Sequence, residues 1–330
     1  MDYKLHGMNI ELTTACPLHC PQCYCTLEGG KHIPLETAKK MLAEAASLGV
    51  QHVELSGGET LCYPHLVELV AYARSLDIAP SIAISGWHFD ARVLQELVDA
   101  GIDMICLSLN GPTQVLNAPT RDGYDYSIQA LKILQENHYP DTYINWVMHR
   151  DLVEYLPDMI ALAESYDASG FLIIEPKPTA AHELNTSPTA EQMLYVADFV
   201  KKYRGSLDIN VQHCFSPLAA LVGENKLWGN RNRGPYKGCT AGIVSLSVNV
   251  DGQFSPCRHL DYFESWDSIQ EYWEKSPVLK QIRDLGETKT GPCETCRLAP
   301  YCRPCMAANS KIEGKISIGN RYCALHKALA

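Results

Sequence analysis

Three cysteines near the start of the chain have the spacing of a metal-binding loop. Cys16, Cys20 and Cys23 form a C-x3-C-x2-C motif directly after a short apolar run. Thiolates are soft ligands that suit iron–sulfur clusters or zinc. Three of them can hold three irons of a [4Fe–4S] cube and leave the fourth iron without a protein ligand. A structural zinc site needs four ligands, and His19 or Cys25 could supply the fourth, but the spacing favours a cluster.

A second candidate site follows the next apolar run, at Ser56-Gly57-Gly58-Glu59. The two glycines would allow a ligand to lie against the backbone, and Glu59 could hold an ammonium group. A lone Gly-Gly-Glu is more often a simple turn. Both motifs come directly after predicted strands, so we expect them to open onto the same mouth of a sheet.

The C-terminal part of the chain contains seven further cysteines in a regular arrangement. The spacing is C-x12-G-x4-C, then C-x2-C-x5-C-x2-C, then one more cysteine after 17 intervening residues. Pairs of the C-x2-C type are typical of zinc ribbons as well as of clusters. The seven are Cys239, Cys257, Cys293, Cys296, Cys302, Cys305 and Cys323.

The composition limits where such cysteines can function. The chain has 330 residues, 14 cysteines and a formal net charge of −10. Neither a signal peptide nor an apolar run of membrane-spanning length stands out, so we expect a cytoplasmic protein without a membrane partner. Disulfides are rare in that compartment, and dense cysteine there points to metal binding or catalysis. The acidic balance argues weakly against a nucleic-acid partner.

The first 200 residues alternate between strand-like and helix-like segments. Each of six apolar runs is followed by a segment with helical periodicity, which predicts a parallel sheet. Six units are too few for a closed eight-unit barrel, so we predict a partial (β/α)6 barrel. The predicted strands span residues 8–13, 53–56, 81–85, 104–109, 143–148 and 171–174; the predicted helices span 35–48, 64–76, 91–100, 126–137, 153–165 and 190–203.

The pattern changes near residue 205. We predict three parts: a barrel over residues 1–204, a bridging segment over 205–237, and a small cysteine-rich α+β domain over 238–330. The bridging segment contains a short strand-like run at 209–212, and a helix is predicted at 268–285. Asp251-Gly252 stands between two alternating runs, which is a strong signal for a two-residue β-hairpin. The fold class is therefore α/β.

The N-terminal part resembles the radical S-adenosylmethionine (SAM) superfamily. The resemblance rests on the C-x3-C-x2-C motif after the first strand and the Gly-Gly-Glu after the second, and it extends from residue 8 to about 200. It implies that SAM chelates the open iron and that the Gly-Gly-Glu strand contacts the SAM amine. It also implies that Ser108 and Arg121 hold the SAM carboxylate or ribose and that Ser85 faces the ribose. Taken alone, Ser108 could equally end a strand and Arg121 could be a solvated charge.

One position departs from that family's pattern. The residue before the third cysteine is usually aromatic and touches adenine, but here it is Gln22. Tyr24 stands on the other side of Cys23. The departure bears on the adenine contact and leaves the cluster motif intact.

The C-terminal cysteines are similar to the SPASM domain, an extension of radical SAM enzymes that holds auxiliary clusters. The resemblance implies three [4Fe–4S] clusters in all. Three cysteines would hold the first auxiliary cluster, and its fourth site would be open or filled by Cys214, His259 or another group. The family has three residues between the last two cysteines of the central group, where this chain has two. The implied ligands are Cys239, Cys257 and Cys305 for the first cluster and Cys293, Cys296, Cys302 and Cys323 for the second.

The resemblance implies an enzyme that cleaves SAM reductively to a 5′-deoxyadenosyl radical and modifies a peptide. The favoured function is a maturase of ribosomally made peptides that forms a thioether or carbon–carbon cross-link. The alternatives are a sulfatase-maturing enzyme that forms formylglycine, a peptide epimerase, and a non-catalytic zinc-binding scaffold. Sulfatase-maturing enzymes commonly have an aspartate base where this chain has Arg258, and arginine cannot accept a proton at neutral pH. Arg258 could be a surface charge or pair with a peptide carboxylate.

The resemblance also implies partners. They are a peptide or protein substrate and an electron donor such as flavodoxin or ferredoxin. Because the chain starts almost directly at the first strand, three alternatives are expected: the leader is bound elsewhere, a separate leader-binding protein binds it, or the substrate is not a leader peptide.

Overall fold

In this computed structural model, the N-terminal part of the chain forms a parallel sheet with helices between its strands. The structure describes residues 3–25, 27, 29–178, 185–223, 226, 238–286 and 288–329. Most of its strands are buried apolar runs, as expected for a parallel sheet with helices packed on it. The parallel strands of this part are β1 (Gly7–Thr13), β2 (His52–Gly57), β3 (Ala79–Ile84), β4 (Met104–Ser108), β5 (Thr142–Val147), β6 (Gly170–Ile174) and β7 (Asp208–Val211).

The helices between the strands bury one apolar face each. The first buries Ala38, Met41, Leu42 and Ala45, which recur at helical spacing. These helices are α1 (Leu35–Ser47), α2 (Leu66–Ser75), α3 (Ala91–Asp99), α4 (Gln114–Asn117), α5 (Tyr124–Glu136), α6 (Leu156–Ser165), α7 (Ala190–Lys202) and α8 (Ser216–Val222), with 3-10 turns at Thr60–Cys62 and Arg150–Tyr155.

The C-terminal part has little regular structure besides a hairpin and short helices. Its strands are β8 (Ser245–Val248) and β9 (Phe254–Ser255), and its helices are α9 (Ile269–Lys275), α10 (Pro277–Asp284), α11 (Met306–Glu313) and α12 (Ala324–Leu329). Two 3-10 turns, Gly291–Glu294 and Ala299–Tyr301, lie within the second group of cysteines.

The hairpin belongs to the same sheet as the barrel strands. The order is β7-β6-β5-β4-β3-β2-β1-β8-β9, and β8 pairs with β1 in parallel from Gly7↔Ser245 to Ile10↔Val248. Only the β8–β9 pair is antiparallel among the described strands. The predicted partial barrel followed by a cysteine-rich part with a hairpin is confirmed. The sequence did not predict that the hairpin would extend the barrel sheet.

Several element boundaries differ from the predictions for local reasons. The helix predicted at 268–285 is divided into α9 and α10, because Pro277 cannot continue a helix and Ser276 caps the second one by accepting the Leu279 N–H at 3.1 Å. The hairpin turn is longer than two residues: Asn249 pairs with Gln253, and Gly252 adopts φ 75°. The strand-like run predicted at 209–212 forms β7. Residues 224–225 and 227–237 of the predicted bridging segment lie outside the described residues.

A single large core runs through the sheet and its helices. It includes Trp146, Phe171 and Phe254, all fully buried, and a smaller apolar cluster surrounds Cys239. None of the described helices is both long and apolar enough to cross a membrane.

Candidate active site

The C-terminal ends of the strands surround a cavity of about 330 Å³. Functional groups of barrel folds gather at this end of the sheet. The cavity brings together every residue that the sequence assigned to the first cluster and to SAM, together with Arg258. Those residues are Cys16, Cys20, Cys23, Ser56, Gly57, Gly58, Glu59, Ser85, Ser108, Arg121 and Arg258.

The loop after β1 presents the three cysteines to this cavity. All three are half-buried, and the Cys23 N–H donates to the Cys20 carbonyl at 3.1 Å. A side-chain interaction with Cys25 lowers the pKa of Cys23. A lower pKa favours the thiolate, which is the form that binds iron.

The glycine pair after β2 is required by the cluster loop itself. A Cβ on Gly57 would lie 2.4 Å from the Thr13 carbonyl oxygen, and one on Gly58 would lie 2.5 Å from that of Ala15. The Gly58 N–H donates to Thr13 at 2.7 Å and the Glu59 N–H donates to Ala15 at 2.9 Å. The sequence suggested that these glycines make room for a ligand. The structure adds that they let the cluster loop approach the end of β2.

Glu59 is buried and held in one orientation. It is 2% exposed, and its Oε2 accepts hydrogen bonds from the Ser85 N–H at 2.9 Å and from the Ser85 hydroxyl. Its Oε1 accepts from the Leu61 N–H at 3.2 Å. Burial raises the pKa of Glu59, while the hydrogen bonds from Ser85 and the charge of Arg121 lower it. Ser85 therefore orients the carboxylate that faces the cavity.

Arg121 also lines the cavity, on a loop fixed by Asn117. The Asn117 side chain is fully buried; its Oδ1 accepts from the Asn110 N–H at 2.8 Å, and its Nδ2 donates to the Arg121 carbonyl at 2.8 Å. The Arg121 Nε is buried without a hydrogen-bond partner. A buried guanidinium nitrogen without a partner suits a carboxylate ligand. The Asn117 contribution was not predicted.

Four further polar residues of the cavity wall were not predicted from the sequence. Asn145 pairs with Ser108 across β4 and β5, and Gln212 follows β7; each has a buried carbonyl oxygen without a hydrogen-bond partner. Glu175 and Lys177 follow β6 and form an ion pair with 12% and 9% of their side chains exposed. All four line the cavity. Their position at strand ends was a usable signal, but none belongs to a recognisable motif.

A second cysteine group lies behind this wall. Sγ of Cys214, Sγ of Cys305 and a carboxylate oxygen of Glu175 lie within 4.8 Å of one another. Cys239 and Cys257 belong to the same small apolar clusters as Cys214 and Cys305, and burial raises the pKa of Cys257 to about 12. Of the fourth-ligand candidates named from the sequence, the structure places Cys214 against Cys305.

Backbone and side-chain donors surround the sulfurs of this second group. The His259 N–H donates to Cys257 Sγ at 3.5 Å and the Ala308 N–H donates to Cys305 Sγ at 3.5 Å. Lys177 Nζ donates to Cys214 Sγ at 3.3 Å. Such donors are typical of the surroundings of metal-bound thiolates.

A third group lines a separate small pocket. Asn320 donates its N–H to Cys293 Sγ at 3.3 Å, and the Ser216 hydroxyl donates to Cys302 Sγ at 3.2 Å. Although Cys302 and Cys305 are separated by two residues rather than three, the chain still directs Cys302 to this pocket and Cys305 to the second group. The four cysteines of the pocket are Cys293, Cys296, Cys302 and Cys323.

Arg258 connects the second group to the cluster loop. Its Nη1 donates to Glu54 Oε1 at 3.0 Å, and its guanidinium lies 5.3 Å from the centre of the Tyr24 ring. The Tyr24 ring in turn lies 4.2 Å from the His259 ring, centre to centre. With 19% of its side chain exposed, Arg258 is not the surface charge that the sequence allowed. Its guanidinium already has a carboxylate partner, Glu54.

Comparison with known proteins identifies the family. The family model "Radical SAM superfamily" matches residues 10–163. A PqqA peptide cyclase of Rhodopseudomonas palustris is 33% identical over 318 residues, which cover 87% of this chain and 78% of that protein. The chain belongs to the radical SAM superfamily. It is therefore an enzyme that uses SAM and a [4Fe–4S] cluster, and the alternative of a non-catalytic zinc-binding scaffold is not supported.

The solved structures of two other proteins share the fold of this radical SAM enzyme. SuiB of Streptococcus suis, solved with bound S-adenosylmethionine, superposes with a TM-score of 0.77 at 18% identity over 97% of this chain and 77% of SuiB. The protein anSMEcpe, solved with bound AdoMet and the Cp18Cys peptide, gives a TM-score of 0.76 at 16% identity over 98% of this chain and 95% of that one. The residues around the cavity fit the expected cofactor, since Glu59 suits the SAM ammonium and Arg121 its carboxylate.

Proposed function

We propose that this enzyme matures a ribosomally made peptide by forming a thioether or carbon–carbon cross-link. Curated relatives bear the name PqqA peptide cyclase, and SuiB has been solved bound to the precursor peptide SuiA. The observation that carries the proposal is the shared wall of the cavity: Lys177 lines the cavity and also donates to Cys214 Sγ at 3.3 Å. A peptide in the cavity would therefore lie between the SAM site and the second cysteine group.

The stoichiometry of cross-linking explains why a redox group close to the peptide would be needed. Forming one such bond removes two hydrogen atoms from the peptide. One leaves as a hydrogen atom to the radical that SAM and its cluster supply when bound. The other leaves as a proton to water and one electron, and the electron needs an acceptor. A redox group behind the cavity wall would be that acceptor.

We propose two auxiliary [4Fe–4S] clusters as the redox groups. Cys214 would complete the first set with Cys239, Cys257 and Cys305, because its Sγ lies within 4.8 Å of Cys305 Sγ and it packs in the same small apolar cluster as Cys239 and Cys257. The pocket around Cys302 would hold the second cluster. Soft thiolate sets with N–H donors to sulfur support clusters at both places. An electron donor such as flavodoxin or ferredoxin would reduce the enzyme.

The chain's own residues bind and orient the reactants. The Glu59 carboxylate, oriented by Ser85, would accept a hydrogen bond from the SAM ammonium. The Arg121 guanidinium would bind the SAM carboxylate in a bidentate pair. The Asn145 and Gln212 carbonyl oxygens, which lack partners in the cavity wall, would accept N–H groups of the peptide backbone.

A peptide epimerase is the second candidate, and Cys25 is the observation that favours it. Epimerisation needs a hydrogen-atom donor, and the Cys25 thiol lines the cavity, donating to the Gly57 carbonyl at 3.5 Å. The formylglycine-forming alternative has less support, because Arg258 stands at the position where a base is expected and is paired with Glu54.

Mass spectrometry separates these functions. The enzyme, reconstituted anaerobically with iron and sulfide, is co-expressed or incubated with candidate precursor peptides. Cross-linking predicts the loss of two hydrogen atoms, whereas epimerisation leaves the mass unchanged in H₂O and adds deuterium in D₂O. A colourless protein that binds zinc and forms no 5′-deoxyadenosine would overturn the whole mechanism.

A further inference from the structure

The buried ion pair between Lys177 and Glu175 lies in the cavity wall and has no part in the SAM contacts proposed above. Both residues follow β6, and 9% of the Lys177 side chain and 12% of the Glu175 side chain are exposed. Removing two charges from water is costly unless their mutual attraction and hydrogen bonds to neighbouring groups offset the loss of hydration. The groups next to this pair are cysteine sulfurs. Lys177 Nζ donates to Cys214 Sγ at 3.3 Å, and a carboxylate oxygen of Glu175 lies within 4.8 Å of Cys214 Sγ and Cys305 Sγ.

A cation and a hydrogen-bond donor at a ligand sulfur have a defined effect on a cluster. One-electron reduction adds one negative charge to the cluster and releases no ligand. A nearby positive charge stabilises the reduced state, and a hydrogen bond to sulfur does the same. Both effects are large where water is excluded, because charges interact more strongly there. A neighbouring carboxylate stabilises the oxidised state instead.

We propose that Lys177 is a positioning residue that raises the reduction potential of the cluster held by Cys214, Cys239, Cys257 and Cys305, and that Glu175 limits this increase. The inference rests on the cluster ligands given under the proposed function. Of the two charges, Lys177 is the one that donates to a ligand sulfur, so its effect exceeds that of Glu175. A higher potential makes this cluster a better acceptor for the electron that leaves the peptide.

The test is an anaerobic redox titration of the full-length, reconstituted enzyme with dithionite, followed by EPR. We expect Lys177→Met to lower the equilibrium constant for reduction of this cluster at least tenfold, which is about 59 mV for one electron. Glu175→Gln should shift the potential in the opposite direction, and Lys177→Arg should restore most of the wild-type value. The SAM-binding cluster serves as an internal reference that should not shift.

Lys39→Met is the matched control. Lys39 is also paired with a carboxylate, Glu68, at 2.6 Å, but the pair lies on the outer surface of α1 and α2. The same chemical change there should leave every potential unchanged. Should Lys177→Met fail to fold, the opposite shift expected for Glu175→Gln still decides the question, because a merely structural role would not raise the potential.

The outcomes separate this inference from the proposed function. Wild-type protein with the iron and sulfide of a single cluster would overturn both. If the wild-type protein contains three clusters and the Cys214→Ala protein contains two, the ligand assignment is supported. The proposed role of Lys177 is wrong if, with all three clusters present, the cluster potential in the Lys177→Met and Glu175→Gln proteins equals that of the wild type. It is also wrong if both substitutions shift the potential in the same direction.

Discussion

The cluster loop after β1 and the cysteine groups of the C-terminal part hold sulfur in different ways. The loop supplies three cysteines from eight consecutive residues, 16–23, and faces a cavity of about 330 Å³. The second group collects cysteines from four distant segments, and its Cys239 and Cys305 are 5% and 4% exposed. The difference teaches that three cysteines on one open loop leave room for a cofactor to bind, whereas four enclosed cysteines, as the proposed ligands of an auxiliary cluster, would suit the passage of electrons.

The largest test of this comparison removes a ligand of the open site. Cys23→Ala should reduce formation of 5′-deoxyadenosine to background, because the thiol next to the cavity is lost and the cluster cannot form. The measurement is chromatography of 5′-deoxyadenosine after addition of SAM and reductant. Cys62→Ala is the control, since Cys62 lies on the short turn after Glu59 and outside both cavities. SAM cleavage by the Cys23→Ala protein would show that the open site is assigned wrongly.

Removing a ligand of an enclosed site should have a narrower effect. Cys302→Ala should lower the iron content by one cluster and reduce peptide modification at least about 10- to 100-fold, the cost of disturbing the groups around a metal site. Formation of 5′-deoxyadenosine should persist. Iron analysis, peptide mass spectrometry and thermal unfolding together measure this. If a folded Cys302→Ala protein loses SAM cleavage as well, the division between open and enclosed sites fails.

Glu59 tests how the open site recognises SAM. Glu59→Gln removes the negative charge while keeping the shape, and a charge-assisted hydrogen bond contributes about 1.5–3 kcal/mol. The KM for SAM should therefore rise about 10- to 100-fold. Glu68→Gln, on the exposed surface, is the matched control. An unchanged KM would mean that another group holds the SAM ammonium.

The same carboxylate predicts a pH dependence. Burial raises the pKa of Glu59 above its ordinary value, and its neutral form cannot pair with an ammonium. Affinity for SAM should thus be full above this raised pKa and fall as the pH is lowered through it, starting at a higher pH than an ordinary glutamate would allow. Binding measured by calorimetry across that range checks the prediction. Affinity in the Glu59→Gln protein should be independent of pH over the same window.

The smallest expected effect concerns the contact between the two regions. Arg258→Gln breaks the ion pair between Arg258 and Glu54, whose side chains are 19% and 36% exposed. It should cost at least about 1 kcal/mol of stability, the upper value for exposed pairs, because most of the Arg258 side chain is buried. Chemical denaturation measures the loss, and Arg92→Gln, which removes an exposed pair with Glu96, should cost less. Full stability together with loss of peptide modification would instead assign Arg258 to substrate binding.

Local features of the chain could be predicted from the sequence, and long-range ones could not. The cysteine loop, the Gly-Gly-Glu turn and the six strand–helix units all depend on residues close in sequence. Cys214 and Lys177 come together from the ends of different strands, and no spacing rule links positions 37 residues apart. The hydrogen bond from the Ser85 hydroxyl to Glu59 was likewise beyond sequence reasoning, because it depends on how β2 and β3 are aligned.

The pairing of β8 with β1 makes the cluster loop's supporting strand an interior strand of the sheet. A strand with two neighbours cannot slip by one residue without breaking both ladders. Loss of the C-terminal part would leave Gly7–Ile10 with unpaired N–H and carbonyl groups along an apolar edge. Such an edge recruits strands from other chains. The hairpin therefore protects the barrel against aggregation, and a protein truncated before residue 245 should precipitate rather than fold as a smaller enzyme.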